Sequence, residues 1–198
     1  MKTLRYIVLF AAFGVAVKTQ AQVSTFGLNY NISIPTGNSA DFIGEASFRG
    51  ASFEYTFVPD DNFGVHFEGG WNNFYEKVDK ATYERGTLSL TGTQYRYIES
   101  VPLFVGLNYF ALPDAVIKPY AALGLGLIYT EQRNDVGMYS LISNGWQFGL
   151  KPELGAAVSL SESTFLKLSA KYYYGFKTDN LDAQSFIAFN MGLAFKVE

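Results

Sequence analysis

Trp146-Gln147-Phe148-Gly149-Leu150-Lys151-Pro152-Glu153-Leu154-Gly155-Ala156-Ala157-Val158-Ser159-Leu160 is the stretch whose reading decides the fold. Its even positions are apolar from Trp146 to Leu160. Its odd positions carry Lys151 and Glu153 among small residues and Gln147. A period of two is the mark of a β-strand, because successive side chains leave opposite faces. In a water-soluble barrel or sandwich the apolar face points at the core. In a membrane barrel the polarity inverts: apolar residues meet lipid and charges face the lumen.

The front of the chain separates these alternatives. Lys2 and Arg5 precede an apolar run from Tyr6 to Val17, and Thr19-Gln20-Ala21 fits a small-residue cleavage site. Residues 1–21 therefore read as a secretory signal peptide, with residues 22–198 as one mature barrel domain. The run is short of the ~20 residues a spanning helix needs. No Cys follows it, which excludes a lipid-anchored lipoprotein. Removing 21 residues from 198 leaves 177, and the loss of Lys2, Arg5 and Lys18 moves the formal charge from −3 to −6. Such an acidic chain gives no reason to expect nucleic acid. With zero Cys in an exported chain, stability rests on burial and backbone pairing. The 18 Phe, 14 Tyr and 2 Trp are spread over alternating runs. Exported, aromatic-rich, glycine-rich and half apolar is the signature of a barrel of alternating strands.

Eight alternating runs follow the signal: Thr25–Ile34, Arg49–Val58, Phe63–Tyr75, Thr87–Phe110, Lys118–Thr130, Trp146–Leu160, Phe165–Phe176 and Ser185–Val197. Pro35-Thr36-Gly37-Asn38, Pro59-Asp60-Asp61-Asn62 and Ser161-Glu162-Ser163 punctuate them with turn chemistry. The charged stretch Glu76–Arg85 has no apolar period and reads as a loop; Glu131–Asn144 reads as the longest polar connection. Arg96 lies on the inward parity of its run and Glu99 on the outward one. That implies either a bulge near Glu99–Pro102 or a strand projecting beyond the bilayer there. Ten residues at ~3.3 Å each, tilted ~45°, span about 23 Å, close to the ~25 Å apolar band of a membrane barrel. An open edge in hydrocarbon leaves hydrogen bonds unmade, so the first and last strands should pair. The expected fold is all-β: an eight-stranded, antiparallel, up-and-down transmembrane barrel.

The inward set gathers Glu54, His66, Glu68, Arg96, Lys151, Glu153, Lys167 and Lys171. Eight strands enclose a lumen just wide enough for side chains to fill it. Unpaired buried charge is prohibitive, so acids and bases should pair, Lys151 and Glu153 with the seventh-strand lysines. Inward Gly124, Gly126, Gly149, Gly155, Ala157 and Gly192 would leave room for a narrow pore. The only His, His66, points into the lumen beside Glu68, away from any acyl-transfer position at the lipid surface, so no enzyme is expected. Gly124-x-Gly126 lacks the third glycine of a dinucleotide loop, and neither a metal site nor a cofactor is indicated. Tyr172-Tyr173-Tyr174, Trp71, Trp146, Tyr75 and Tyr129 read as interfacial girdles rather than as a carbohydrate platform.

The signal, the eight runs, the Lys118-Pro119-Tyr120-Ala121-Ala122-Leu123-Gly124-Leu125-Gly126 segment and the closing strand resemble small outer-membrane β-barrel proteins of the OmpA/OmpW-like type. A signal ending Thr-Gln-Ala-Gln is most similar to those of Bacteroidetes, including the PorT-like group. The stretch Asn190-Met191-Gly192-Leu193-Ala194-Phe195-Lys196-Val197 is similar to the final-strand signal read by barrel-assembly machinery, with Asn190, Gly192, Phe195 and Val197 as its residues. It departs from the commonest bacterial form in ending Val197-Glu198 and not on an aromatic. The resemblance implies a bacterial outer-membrane location, with outer-membrane lipid, the assembly machinery and a surface or periplasmic protein as partners. Three roles follow from it: a structural or interaction protein presenting surface loops, with Glu131–Asn144 the foremost contact; a narrow OmpW-like channel for small solutes; or a PorT-like secretion accessory.

Overall fold

The computed structural model describes residues 23–197. The signal segment therefore lies outside the described residues. Eight strands occur among the described residues: β1 (Val23–Thr36), β2 (Ser47–Val58), β3 (Phe63–Arg85), β4 (Leu88–Phe110), β5 (Ile117–Val136), β6 (Tyr139–Ser159), β7 (Thr164–Gly175) and β8 (Gln184–Val197). Each pairs antiparallel with its neighbour in sequence, and β8 returns to β1 to close a barrel. A short helix α1 (Asn38–Phe42) interrupts the β1–β2 connection.

Alternation in the sequence becomes inside and outside in the barrel, with the polarity of a soluble protein reversed. Leu28, Tyr30, Phe53, Phe67, Leu107, Leu125, Leu154, Phe189 and Met191 are exposed on the outer wall. Glu54, His66, Glu68, Lys151, Glu153 and Lys171 are buried inside. Water would not tolerate so continuous an apolar belt; hydrocarbon does. Cross-strand register aligns Val101 with Tyr129 and Tyr129 with Trp146 on the outer face. The Tyr129 and Trp146 rings lie 5.4 Å apart, while nearer the opposite rim Phe63 and Tyr109 are 5.2 Å apart. Trp71 and Phe63, near the two levels, stand about 20 Å apart along the axis at a ~40° tilt, the height of an apolar band with aromatics at its margins.

Two connections expected as loops are strand. Glu76–Arg85 continues β3, and Glu131–Asn144 is divided between β5 and β6. Both hairpins turn on two residues, Gly86-Thr87 and Gly137-Met138, with φ of 61° and 60° at the glycines. The φ > 0 of a tight hairpin turn is reached by glycine without a steric penalty. Beyond the apolar band no face has to meet hydrocarbon, so no hydrophobic period marks these strands, even where Gln94, Asn134 and Val136 are buried. The bulge lies at Val78–Ala81, where the β3–β4 register shifts and Lys80 takes φ 49°. No shift occurs at Glu99–Pro102: the β4–β5 ladder runs unbroken from Gln94–Val136 to Phe110–Tyr120. Glu99 faces outward because the strand there has already left the apolar belt. Its carboxylate accepts a hydrogen bond from Asn73 Nδ2 at 3.2 Å.

The result is lopsided. β2 pairs with β3 only as far as Gly50–Asn72, and β7 pairs with β6 only from Gly175–Gly149 downward. Above those points β3, β4, β5 and β6 rise alone as a four-stranded blade.

Candidate functional site: the barrel lumen

Three carboxylates and three ammonium groups converge at mid-barrel. Glu68 of β3 is reached by Lys151 Nζ of β6 and Lys171 Nζ of β7, each at 2.6 Å. Tyr173 Oη donates to the other Glu68 oxygen. Lys151 also lies 3.1 Å from Glu153, and Tyr120 Oη donates to Glu153 at 2.7 Å. Glu54 of β2 accepts from Lys167 and from Thr56, and stands 3.6 Å from Lys171. Glu54, Glu68 and Glu153 balance Lys151, Lys167 and Lys171, so the layer is neutral as well as connected. Burying charge is tolerable only on such terms.

Apart from Lys151–Glu153 along β6, the short contacts cross the lumen. Glu68 of β3 meets lysines of β6 and β7 and Glu54 of β2 meets those of β7, whereas the seventh-strand partner expected for Glu153 is Lys171 at only 3.9 Å. Arg96 is inward but stands apart. Its guanidinium donates to Gln94 Oε1 at 3.2 and 3.0 Å and to the Phe42 carbonyl at 3.0 Å, and lies 5.5 Å over the Phe42 ring. It ties α1 to the barrel wall near the blade end.

His66 Nε2 lies 3.1 Å from Lys151 Nζ. An ammonium can only donate, so Nε2 accepts and the proton sits on Nδ1. Ligand atoms of His66, Glu68 and Glu153 lie within 4.8 Å of one another, a set that could hold a metal ion. Lys151 Nζ is hydrogen-bonded to all three. Its three protons are used, and the position a cation would take is filled by the protein's own charge.

The inward glycines make space that other side chains take. A Cβ at Gly124 would stand 3.2 Å from Lys151 Cε, at Gly149 2.8 Å from the Phe104 ring, and at Gly155 2.7 Å from Tyr120. At Gly126 and Gly192 it would run into the Leu103 and Leu28 carbonyls, so those glycines allow close strand approach. The room expected from these glycines is thus taken at Gly124, Gly149 and Gly155 by the Lys151, Phe104 and Tyr120 side chains.

Toward the blade the lumen holds an apolar cluster among buried Asn72, Ser100, Thr130 and Gln147, contrary to an all-polar interior. Phe74, Ile98, Phe104, Ile128, Tyr173, Phe186 and Ala188 form one buried cluster, joined by Ile43 from the segment after α1. Tyr173 and Phe186 stack at 4.7 Å, and Phe104 meets Tyr173 edge-on at 5.7 Å. Leu181, from the β7–β8 connection, is buried as well. On that connection, the hydrogen bond from Lys177 to Asp182 holds the ammonium above its ordinary pKa. Tyr173 therefore belongs to the plug and not to a girdle, and Tyr75 stands on the blade beyond Trp71. At the turn-side rim a cup of about 230 Å³ is lined by residues including Lys118, Lys167, Lys196, Asp61, Asp114 and Phe165.

The residues of the final-strand motif sit along the seam that closes the barrel. Asn190 pairs with Asn31, Gly192 with Asn29, Phe195 with Phe26 and Val197 with Ser24. Asn190 is buried and donates to Asn31 Oδ1, while Phe195 and Val197 are exposed outside.

Comparison with known proteins agrees with this architecture. The chain belongs to the outer membrane protein beta-barrel domain family, which matches residues 7–195. Family and fold together imply a bacterial outer membrane. No curated protein matches the chain in sequence. Among solved structures it is similar to a major outer membrane protein from Thermus thermophilus, with TM-score 0.59 and 14% identity over 88% of this chain and 99% of that one. It is also similar to Neisserial surface protein A, with TM-score 0.54 and 12% identity over 90% and 98%. A third is Ail, the attachment invasion locus protein of Yersinia pestis, solved in complex with the heparin analogue sucrose octasulfate; its TM-score is 0.53 at 11% identity over 89% and 97%. At such identities the likeness is one of fold.

Proposed function

We propose that this member of an outer-membrane barrel family is a non-conducting, non-enzymatic anchor, and that it works by binding a protein partner through the blade of β3–β6. The observation that carries the reading is the filled lumen: a neutral ionic layer beneath an apolar plug, with Ile43 and Leu181 packed in from two connections. A solute would have to displace both. Connections 59–62, 111–116 and 160–163 share one rim with the described termini, and the long strands of the blade project from the other. That is the usual periplasmic arrangement, and it supports a cell-surface position for the blade. The one histidine has its Nε2 engaged by an ammonium, which supports a structural role for it. Lipid at the outer wall and assembly machinery at the Asn190, Gly192, Phe195 and Val197 seam are the other partners of this reading.

Two measurements test it. The purified barrel in a planar bilayer should give no conductance steps, and trypsin added to intact cells should cut at the Lys77–Arg85 tip. Steady single-channel currents would instead establish the narrow OmpW-like channel. Cleavage only after permeabilisation would reverse the orientation. The cup at the turn-side rim favours a second reading, in which a periplasmic protein is held there as for a PorT-like accessory. Crosslinking from Lys118 and Lys196, compared with crosslinking from the blade, separates the two.

A further inference from the structure

The blade has two edges, and they differ. β3 beyond Asn72 has lost its β2 partner, but Glu76, Lys77, Asp79, Lys80, Glu84 and Arg85 crowd that edge in sequence. A bulge breaks its ladder at Val78–Ala81. The β1–β2 connection also covers its base, with Gly44 N–H donating to Glu76 at 2.8 Å. Charges, bulges and covering loops are how natural sheets keep an edge from pairing with another chain.

β6 has a covering segment only at its foot, where Gln147 Nε2 donates to the Phe176 and Asp182 carbonyls at 3.0 and 2.9 Å. Above it there is neither charge nor bulge. Between Asp135 and Lys151 the sequence contains no charged residue and no proline. The β5–β6 ladder is regular from Val136–Tyr139 to the base, and β7 begins pairing only at Gly149–Gly175. Phe148 C=O accepts Phe176 N–H on the β7 side. Alternation then turns the N–H and C=O groups of Ser140, Ile142, Asn144 and Trp146 to the same side. Among the described residues none of these positions has a strand partner there. Tyr139, Ile142 and Trp146 are at least half exposed beside it.

We propose that the β6 edge from Tyr139 to Trp146 is a strand-addition site that takes an extended, uncharged, β-branched or aromatic-rich segment of a partner protein, antiparallel, in the slot β7 leaves vacant above Phe176. Main-chain hydrogen bonds from Ser140, Ile142 and Asn144 hold the incoming strand, and Ile142 and Trp146 on one face with Leu141 on the other select its side chains. A second copy is not the occupant. Two barrels in one membrane raise β6 in the same direction, and an antiparallel ladder needs a chain free to run the other way. The proposal rests on the blade being the binding element; the conductance test above does not depend on it.

The test uses the purified barrel in lipid nanodiscs and, as probe, the blocked octapeptide with the sequence of residues 139–146, which can run antiparallel to its own copy in the barrel. Amide exchange at Ile142 and Asn144 should be fast without peptide and slow at least tenfold with it. Ile142→Pro removes one edge-facing N–H and no β5 ladder bond, so it should weaken peptide binding at least tenfold while Leu141 and Ser143 amides stay protected. Ile142→Lys should weaken it similarly. Absence of binding at millimolar peptide, unchanged binding by Ile142→Pro, or barrel dimers crosslinked through Asn144→Cys would each overturn the proposal. None of these results would reopen the lumen.

Discussion

Glu68 is the residue on which the lumen turns. It has no exposed surface and takes two ammonium groups and a phenol. Breaking a buried pair from one side costs about 3–5 kcal/mol, because the surviving charge stays dehydrated. Glu68→Gln should therefore lower stability by about that much, and Lys171→Met similarly. Tyr173→Phe should cost less, about 1.5–3 kcal/mol for a hydrogen bond to a charged group. Urea unfolding from micelles, followed by emission of Trp71 and Trp146, ranks the three; equal losses would mean that the phenol and the ammonium groups hold Glu68 alike. Glycines offer a second contrast. Gly126→Ala puts a methyl group against the Leu103 carbonyl of a paired strand, while at Gly145 the nearest atom, Leu181 Cδ1, stands off at 3.6 Å. Folded yield should fall for the first and hold for the second. Parity in the sequence reveals which of these side chains point inward. It does not reveal height or reach, which depend on register and on how the sheet closes. Arg96 shares the parity of the cluster but stands near the blade end. Glu68 meets Lys151 only because three intervening strand boundaries curve around the lumen.

Strand positions were legible wherever one face meets lipid, because hydrocarbon imposes the period of two. In the blade no face has to meet lipid and the period disappears, so β3 beyond Tyr75 and the upper β5 and β6 resemble loops. The readable clue was the pair of glycine turns at Gly86 and Gly137, each flanked by arms of similar length. Rows across the blade still carry side-chain order. Tyr75, Tyr97, Arg133 and Ile142 are successive cross-strand partners, with the rings 5.2 Å apart and the guanidinium 4.4 Å over Tyr97. Because the blade shares no layer with the ionic cluster, joining Val78 to Gln94 through an Asn-Gly turn should shorten the β3–β4 hairpin without changing barrel stability beyond about 0.5 kcal/mol. A barrel that no longer folds after this deletion would show that the hairpin is part of the folding unit.

For the whole molecule, exchanging inside for outside converts one alternating pattern into a membrane protein. The apolar plug of Phe74, Ile98, Phe104, Ile128 and Phe186 runs against that pattern, since inward positions were expected to be polar. Filling an enclosed lumen needs volume as much as polarity, and an aromatic layer supplies it next to the ions. The most direct test of the account is the accessibility of nitroxide spin labels on single cysteines in bilayers, a chain without native Cys being suited to it. Labels at Leu125, Leu154 and Phe189 should collide readily with lipid-soluble oxygen and hardly at all with a water-soluble nickel chelate. A label at Ala188 should be shielded from both. High nickel accessibility at the three outer sites, or shielding there with oxygen access at Ala188, would contradict the inverted barrel.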